Sequence, residues 1–163
     1  TLSSSSAASD VYKRQEFNCR MGDPETQPIM MRVKSDLLDA LEHAVEGTLN
    51  QADIVWDRRT ALGVVLASHN YPNTPRTGDV IRGLPADAED CMVFHAATEL
   101  DGDDTKTTGG RVLCVTALGD SVKMARDRVY EAIDGIHFDG RQYRSDIGWR
   151  ALKPSQQKPK SHA

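Results

Sequence analysis

Three polar residues near the start of the chain have the types and spacing to bind a metal ion and a phosphate. Glu16, Asn18 and Arg20 alternate with Phe17 and Cys19, which is the pattern of a strand with one face buried. Side chains at every second position of a strand project from the same face. Carboxylate and carboxamide oxygens suit Mg²⁺, which keeps waters and substrate phosphates in its coordination shell, and an arginine beside them could bind a phosphate or carboxylate through two hydrogen bonds. The alternative is a half-exposed strand whose outward residues are polar without binding anything.

The composition limits what kind of protein can surround these residues. The 163 residues are 39% hydrophobic and 27% charged, with a formal net charge of −4, which is typical of one globular domain or of one domain and a piece of another. The negative charge argues against non-specific nucleic-acid binding. No segment is apolar enough to span a membrane. Three cysteines, Cys19, Cys91 and Cys114, lack metal-binding spacing and favour free thiols in a reducing cytoplasm.

Helix and strand patterns predict an α/β chain, more specifically an α+β fold. One helix is expected to begin at Ser35 and end at Gly47, and another to begin at Asp120 or Ser121 and end near Gly135. Strands are expected at 60–68, 91–96 and 111–118, with a turn at 101–104. The first of these strands is a continuous apolar run, which predicts a central strand covered on both faces.

The two ends of the chain differ from the rest in composition. Residues 1–15 are serine-rich at first, and residues 10–15 resemble a translated sequencing-library adaptor. We therefore expect residues 1–15 to be a non-native leader and the natural protein to continue upstream of Glu16. Residues 153–163 are polar and predict a disordered tail.

The segment after the polar strand carries a family resemblance. The run from Arg20 to Gln27, Arg-Met-Gly-Asp-Pro-Glu-Thr-Gln, resembles the signature of phosphoribosylamine–glycine ligases, in which Leu or Phe is commoner at the position of Met21. The similarity extends to about residue 152, through the blocks 28–31, 34–37, 62–65, 71–72, 78–81, 93–96, 109–113, 115–119 and 146–150.

The resemblance implies a fold and an activity. Residues 16–50 would be the C-terminal end of an ATP-grasp domain, and residues 51–152 a small C-terminal domain. The family joins glycine to 5-phosphoribosylamine at the expense of ATP, by way of glycyl phosphate, and forms glycinamide ribonucleotide, ADP and phosphate in de novo purine biosynthesis. Glu16 and Asn18 would bind Mg²⁺ or Mn²⁺. The full-length enzyme is expected to be a cytoplasmic monomer.

The signature also implies substrate-binding residues, namely Arg20, Gly22, Asp23, Glu25 and Gln27. The acidic and amide side chains lie on a tight turn directly after the metal strand, where they could receive the ammonium group of glycine or order that strand. The alternative is that Gly22, Asp23 and Pro24 only shape the turn.

The groups that hold nucleotide phosphates would lie upstream of this chain. The chain alone is therefore expected neither to bind ATP tightly nor to catalyse ligation. Arg111, which follows Gly109 and Gly110, is a further candidate for facing a substrate phosphate. Two other classes of protein remain open. One is a different ATP-grasp ligase, although the usual pattern of such ligases lacks the Gly-Asp-Pro-Glu turn. The other is a binding module without catalysis.

Overall fold

The computed structural model describes residues 20–152. Within that range helices and antiparallel sheets are mixed, which confirms the α+β prediction. The elements in chain order are α1 (Thr26–Arg32), α2 (Leu37–Glu46), a 3₁₀ turn (Leu49–Gln51), β1 (Thr60–Ala67), β2 (Val80–Ile81), β3 (Cys91–His95), β4 (Thr98–Asp101), β5 (Asp104–Thr107), β6 (Arg111–Gly119), α3 (Val122–Gly135) and α4 (Trp149–Leu152).

The main sheet has the strand order β1-β6-β3, and both pairings are antiparallel. Val115 of β6 pairs with Val64 of β1 on one side and with Val93 of β3 on the other. Residues 112–119 are all buried, because β6 has a strand on each side and packed residues on both faces. This strand is therefore the centre of the fold.

Helix α3 covers one face of the main sheet. Ala125, Val129 and Ile133 recur every four residues, so they form one stripe on the helix, and all three are fully buried. They belong to the same apolar core as Leu66 and Val115. Complete burial of a Val, Leu or Ile side chain contributes about 1.5–3 kcal/mol, so this interface contributes to the stability of the domain.

Helix α1 lies against the opposite face of the same sheet. A Cβ atom placed on Gly63 of β1 would lie 3.1 Å from Cγ of Pro28 and 3.2 Å from Oγ1 of Thr116. The small residue at position 63 therefore lets the helix approach the strand closely. This contact connects the segment after Arg20 to the C-terminal part of the chain.

A smaller sheet flanks the main one, with the antiparallel order β2-β5-β4. Strands β4 and β5 form a hairpin in which Asp101 pairs with Asp104. Gly102 at its tip has φ of 63°, a left-handed conformation that glycine adopts without strain. The predicted turn at 101–104 is confirmed.

Several helix boundaries agree with the sequence prediction. Ser121 is the N-cap of α3 and its hydroxyl accepts a hydrogen bond from the backbone N–H of Met124. Gly47 ends α2 with φ of 73°. The predicted N-cap Ser35 was wrong by one residue, because the Asp36 carboxylate accepts from the backbone N–H of Leu38 at 2.8 Å.

The predicted position of β1 was also wrong, since within residues 20–152 this strand lies at the edge of its sheet rather than at the centre. The predicted cover on both faces agrees with the structure, because α3 covers one face of the strand and α1 approaches the other at Gly63. Helix α1 itself was not predicted, since its seven residues are too few to show a helical period.

Helix α2 exposes its apolar stripe. Leu38, Leu41 and Val45 are 61%, 54% and 90% exposed, and only Ala40 of this helix is buried. Among the helices of residues 20–152, none has both the length and the apolar composition required to cross a bilayer.

Candidate substrate site

The signature turn, residues 22–27, includes the start of helix α1. The backbone N–H and the hydroxyl of Thr26 both donate to the carbonyl oxygen of Gly22, at 2.9 Å and 2.5 Å. Thr26 is the first residue of α1, and Glu25 before it makes no side-chain capping bond. The turn therefore closes on its own backbone and leaves the Glu25 carboxylate available for other contacts.

The carboxylate of Glu25 folds back over Gly22. A Cβ atom on Gly22 would lie only 2.2 Å from Oε2 of Glu25. Gly22 is buried, so a side chain at this position would have to displace the carboxylate. The glycine of the signature thus leaves room for the carboxylate in this position.

Asp23 is held from two directions. Its Oδ1 accepts a hydrogen bond from Nε2 of Gln27 at 3.1 Å. Nη1 of Arg111 donates to the Asp23 backbone oxygen at 2.8 Å and lies 3.2 Å from Oδ2. Arg111 thus joins the turn to the first residue of β6, and it neutralises much of the Asp23 charge.

Arg111 is itself positioned by an aromatic residue. Its Nε donates to the hydroxyl of Tyr71 at 3.0 Å. The Tyr71 ring lies directly against Gly110, where a Cβ atom would be 2.3 Å from Cδ2 of the ring. Hydrogen bonding to Tyr71, and then to Asp23, raises the pKa of Arg111 above its ordinary value, so the guanidinium keeps its positive charge.

A cleft of about 580 Å³ opens beside this group. Its size is within the usual range for small-molecule sites, about 300–1,000 Å³. One wall comes from β1, one from Pro24 of the turn together with Tyr71 and Arg111, and one from the segment before α4. The lining residues are Pro24, Gly63, Val64, Val65, Ala67, Tyr71, Arg111, Gln142, Tyr143, Arg144 and Ile147.

The edge of β1 that faces away from β6 forms part of the cleft. Ala67 exchanges two backbone hydrogen bonds with Gln142, at 2.7 Å and 2.9 Å, so its N–H and C=O point away from β6. Backbone direction alternates along a strand, and Val65 and Gly63 therefore direct their N–H and C=O groups to the same edge. These groups supply the cleft with polar contacts on an otherwise apolar wall.

One buried acceptor in the turn lacks a donor. Oε1 of Gln27 is enclosed and accepts no hydrogen bond in the part of the chain that the structure describes. Buried polar atoms are nearly always paired, so an unpaired one requires an explanation. A bound ligand that supplies an N–H or O–H donor would satisfy this oxygen.

The structure describes some of the predicted site residues and brings two of them into contact. Glu16 and Asn18 lie outside the described residues, so their predicted metal binding stays a prediction. Arg20 is exposed and donates to the carbonyl oxygen of Met21 at 3.1 Å. Asp23 and Gln27 are brought together by their hydrogen bond. Between residues 20 and 152 there is no group of three His, Cys, Asp or Glu side chains arranged to hold a metal ion.

Tyr71 was not identified from the sequence as a candidate site residue. The signal that could have identified it is the pair of glycines before Arg111, because a glycine in front of a strand arginine leaves space for an aromatic ring. Arg111 was anticipated as a candidate, but its partner Asp23 lies 88 positions away in the chain, and no local pattern connects the two.

These residues define an α+β domain in which a signature turn is fastened to the first residue of the central strand, next to a ligand-sized cleft. The family model for the phosphoribosylglycinamide synthetase C domain matches residues 61–150. The chain therefore belongs to the phosphoribosylglycinamide synthetase family.

Named relatives agree with this assignment. A phosphoribosylamine–glycine ligase from Ralstonia nicotianae is 58% identical over 146 residues, which are 90% of this chain and 35% of that protein. One from Escherichia coli O157:H7 is 54% identical over 143 residues, covering 86% of this chain and 33% of the relative. The chain thus spans about a third of the length of these curated relatives.

A solved structure supports the fold. The crystal structure of phosphoribosylamine–glycine ligase from Thermotoga maritima matches with a TM-score of 0.64 and 33% sequence identity. The match covers 80% of this chain and 32% of that protein. The predicted resemblance to this family, in its C-terminal part, is confirmed.

Proposed function

We propose that the chain is the C-terminal part of an ATP-dependent ligase that joins glycine to 5-phosphoribosylamine and forms glycinamide ribonucleotide in purine biosynthesis. The names of the relatives support this activity. The observation in the structure that carries it is the buried Oε1 of Gln27, which has no donor within residues 20–152, on a side chain whose Nε2 donates to the Asp23 carboxylate.

These acceptors suit the ammonium group of glycine. An ammonium group has three N–H donors and no acceptor, so it binds best where carbonyl and carboxylate oxygens converge. Asp23 is largely satisfied by Arg111 and Gln27, which leaves Oε1 of Gln27 and the Glu25 carboxylate as the principal acceptors. In this proposal Asp23 positions the turn, and Gly22 leaves room for the Glu25 carboxylate. Arg20 binds the carboxylate of glycine or a substrate phosphate.

The chemistry of the proposed reaction requires alignment more than a protein nucleophile. The glycine carboxylate oxygen attacks the γ-phosphorus of ATP, and the bond to the β,γ-bridging oxygen breaks to release ADP. The amine nitrogen of 5-phosphoribosylamine then attacks the acyl carbon of glycyl phosphate, phosphate leaves and the nitrogen loses a proton. Mg²⁺ or Mn²⁺, held by Glu16 and Asn18, would neutralise charge on the transferring phosphoryl group.

The test is a graft into a complete relative. Residues 16–152 replace the matching segment of the Ralstonia ligase, which is 58% identical. The expected result is ADP release that requires both glycine and 5-phosphoribosylamine, with glycinamide ribonucleotide detected as the product. The control rejoins the host segment at the same two junctions.

Two results would contradict the proposal. A folded graft that binds ATP but makes no glycinamide ribonucleotide, while the rejoined host is active, would show that this chain does not serve the reaction. Substrate-dependent ADP release by the isolated 163-residue chain would contradict the prediction that the chain alone is inactive.

A further inference from the structure

We propose that the cleft beside Arg111 is an anion site that takes the phosphate of a phosphorylated pentose, with Arg111 and Tyr71 as the two groups that recognise it. The identification of that pentose as 5-phosphoribosylamine rests on the proposed function. The anion site itself rests on the geometry of the cleft.

Arg111 and Tyr71 each have hydrogen-bonding capacity left over. Nε and Nη1 of Arg111 are used by Tyr71 and Asp23, whereas Nη2 has no acceptor within residues 20–152. The Tyr71 hydroxyl accepts from Arg111, and its own proton has no acceptor within the same residues. Both side chains line the cleft, so at least two donors, one of them on a charged group, are available there.

These donors are held in place before any ligand arrives. Three hydrogen bonds fix the guanidinium plane, and the Tyr71 ring lies against Gly110. A side chain that is already ordered loses less conformational entropy on binding. The arginine can therefore offer a phosphate oxygen a charge-assisted hydrogen bond at low entropic cost.

The rest of the cleft suits a sugar. Pro24, Val65 and Tyr143 contribute apolar surface, against which the carbon face of a pentose can pack. The backbone groups of Gly63 and Val65 at the β1 edge can bond to sugar hydroxyls. Glycine would fill only a small part of about 580 Å³.

Because the charged side chains of the cleft are paired, it would recognise a phosphate by directed hydrogen bonds rather than by net charge. Arg111 is paired with Asp23, and Arg144, on another wall of the cleft, is bound by both carboxylate oxygens of Asp146 at 2.9 Å and 2.8 Å. The cleft thus has little net charge. A phosphate dianion, with three terminal oxygens, can accept from Arg111 and Tyr71 at once, whereas an uncharged sugar gains much less.

The experiment is an NMR titration of the 163-residue chain with ribose 5-phosphate. Ribose, inorganic phosphate and glycine are titrated in parallel. The expected result is that ribose 5-phosphate shifts the amide signals of residues 63–67, 71 and 110–111 and binds more tightly than the other three. Ribose or glycine binding as tightly would overturn the phosphate assignment, and inorganic phosphate binding as tightly would overturn the role of the sugar.

Two variants and one control separate recognition from folding. Arg111→Gln is expected to weaken ribose 5-phosphate binding about tenfold or more, and Tyr71→Phe by a smaller factor, since a hydrogen bond to a charged group is worth more than most. Arg82→Gln is the control, because Arg82 is an exposed arginine whose ion-pair partner is Asp104 in the smaller sheet. Unchanged binding by both cleft variants, with melting curves that show them folded, would overturn the proposal.

The grafted ligase distinguishes this inference from the proposed function. In an active graft, Arg111→Gln is expected to raise the KM for 5-phosphoribosylamine with little change in the KM for ATP. An active graft with an unchanged KM for 5-phosphoribosylamine would contradict only the anion site. An inactive graft, with ribose 5-phosphate still bound by the chain, would contradict only the proposed ligase activity.

Discussion

Nη1 of Arg111 lies 2.8 Å from the backbone oxygen of Asp23, although the two residues are 88 positions apart in the chain. This bond fastens the signature turn to the first residue of β6. A backbone oxygen cannot be removed by changing the side chain of Asp23, so the link survives many substitutions at position 23. The residues that hold Arg111 in place are therefore more sensitive points than Asp23 itself.

Gly110→Ala is expected to disturb that link. The new Cβ atom would lie 2.3 Å from Cδ2 of Tyr71, so the ring must move and its hydroxyl should lose the hydrogen bond from Arg111. Forcing extra volume into a packed contact costs about 1–3 kcal/mol, which urea denaturation would measure as a lower free energy of unfolding.

The control for this substitution is Gly135→Ala. A Cβ atom on Gly135 meets only the backbone oxygen of Gly83 at 3.8 Å, an ordinary contact. Equal unfolding free energies for the two variants, together with unchanged Tyr71 ring signals in NMR spectra, would show that the ring does not depend on the space at position 110.

Asp57→Asn is expected to remove a pH-dependent part of the stability. Oδ2 of Asp57 lies 2.7 Å from Nη2 of Arg59, and Oδ1 accepts from the Arg59 backbone N–H. The side-chain hydrogen bond from Arg59 is the main reason that the pKa of Asp57 falls well below its ordinary value. The backbone of Asp57 is also bonded to Arg32 at the end of α1.

The direction of the pH effect follows from the lowered pKa. The ionised form is favoured in the folded state, so the contribution is fully present above the unfolded pKa of about 3.9 and is lost as the pH falls below it. Urea midpoints of the unchanged chain and of Asp57→Asn should differ at pH 5–8 and converge in acid. Asp53→Asn, which removes an exposed carboxylate nearby, is the control. A difference that stays constant down to pH 2 would contradict the assignment.

The predictions that depended on local sequence were mostly correct. Caps and stops involve neighbours in the chain, and Ser121 and Gly47 could be recognised from their residue types alone. Helix α3 was predicted for the same reason, since the signals at its two ends belong to one helix. The family signature added the turn at 22–27, which spacing alone could not have marked as a candidate binding site.

The errors came from properties that pair distant segments. Whether β1 lies at the edge or the centre depends on which strands pair with it, and both arrangements can bury an apolar run. The sequence predicted α2 but not which residues cover its apolar side chains, and Leu41 is 54% exposed within residues 20–152. Likewise, the contact of Tyr71 with Arg111 spans 40 positions and depends on the fold.

Leu41→Glu combined with Val45→Glu is expected to affect the grafted ligase but not the isolated chain. Both residues are exposed on α2, and substitutions at exposed sites usually change the free energy of unfolding by less than about 0.5 kcal/mol. In the graft the same face would lie against the upstream part of the ligase, where two buried charges without partners are costly.

Thermal melts of both proteins test this expectation. Glu42→Gln, on the charged side of the same helix, is the control and should leave both melting temperatures unchanged. A graft that tolerates the double substitution as well as the isolated chain does would show that α2 faces solvent in the complete enzyme.

Gln27→Met is expected to act in opposite directions on stability and on glycine binding. The change removes the buried Oε1, which lacks a donor within residues 20–152 and whose desolvation costs about 1–3 kcal/mol. It also removes the hydrogen bond from Nε2 to Asp23, worth about 1 kcal/mol. The isolated chain should therefore be as stable as before or slightly more stable. In the graft the KM for glycine should rise about tenfold, because the ammonium group loses an acceptor, while the KM for ATP stays the same.

Gln27→Glu provides the comparison, since it keeps an oxygen at that position and should retain more of the glycine affinity than methionine does. A variant with methionine that destabilises the isolated chain and leaves the KM for glycine unchanged would mean that Gln27 serves only to hold Asp23, and the ammonium site would then have to lie elsewhere.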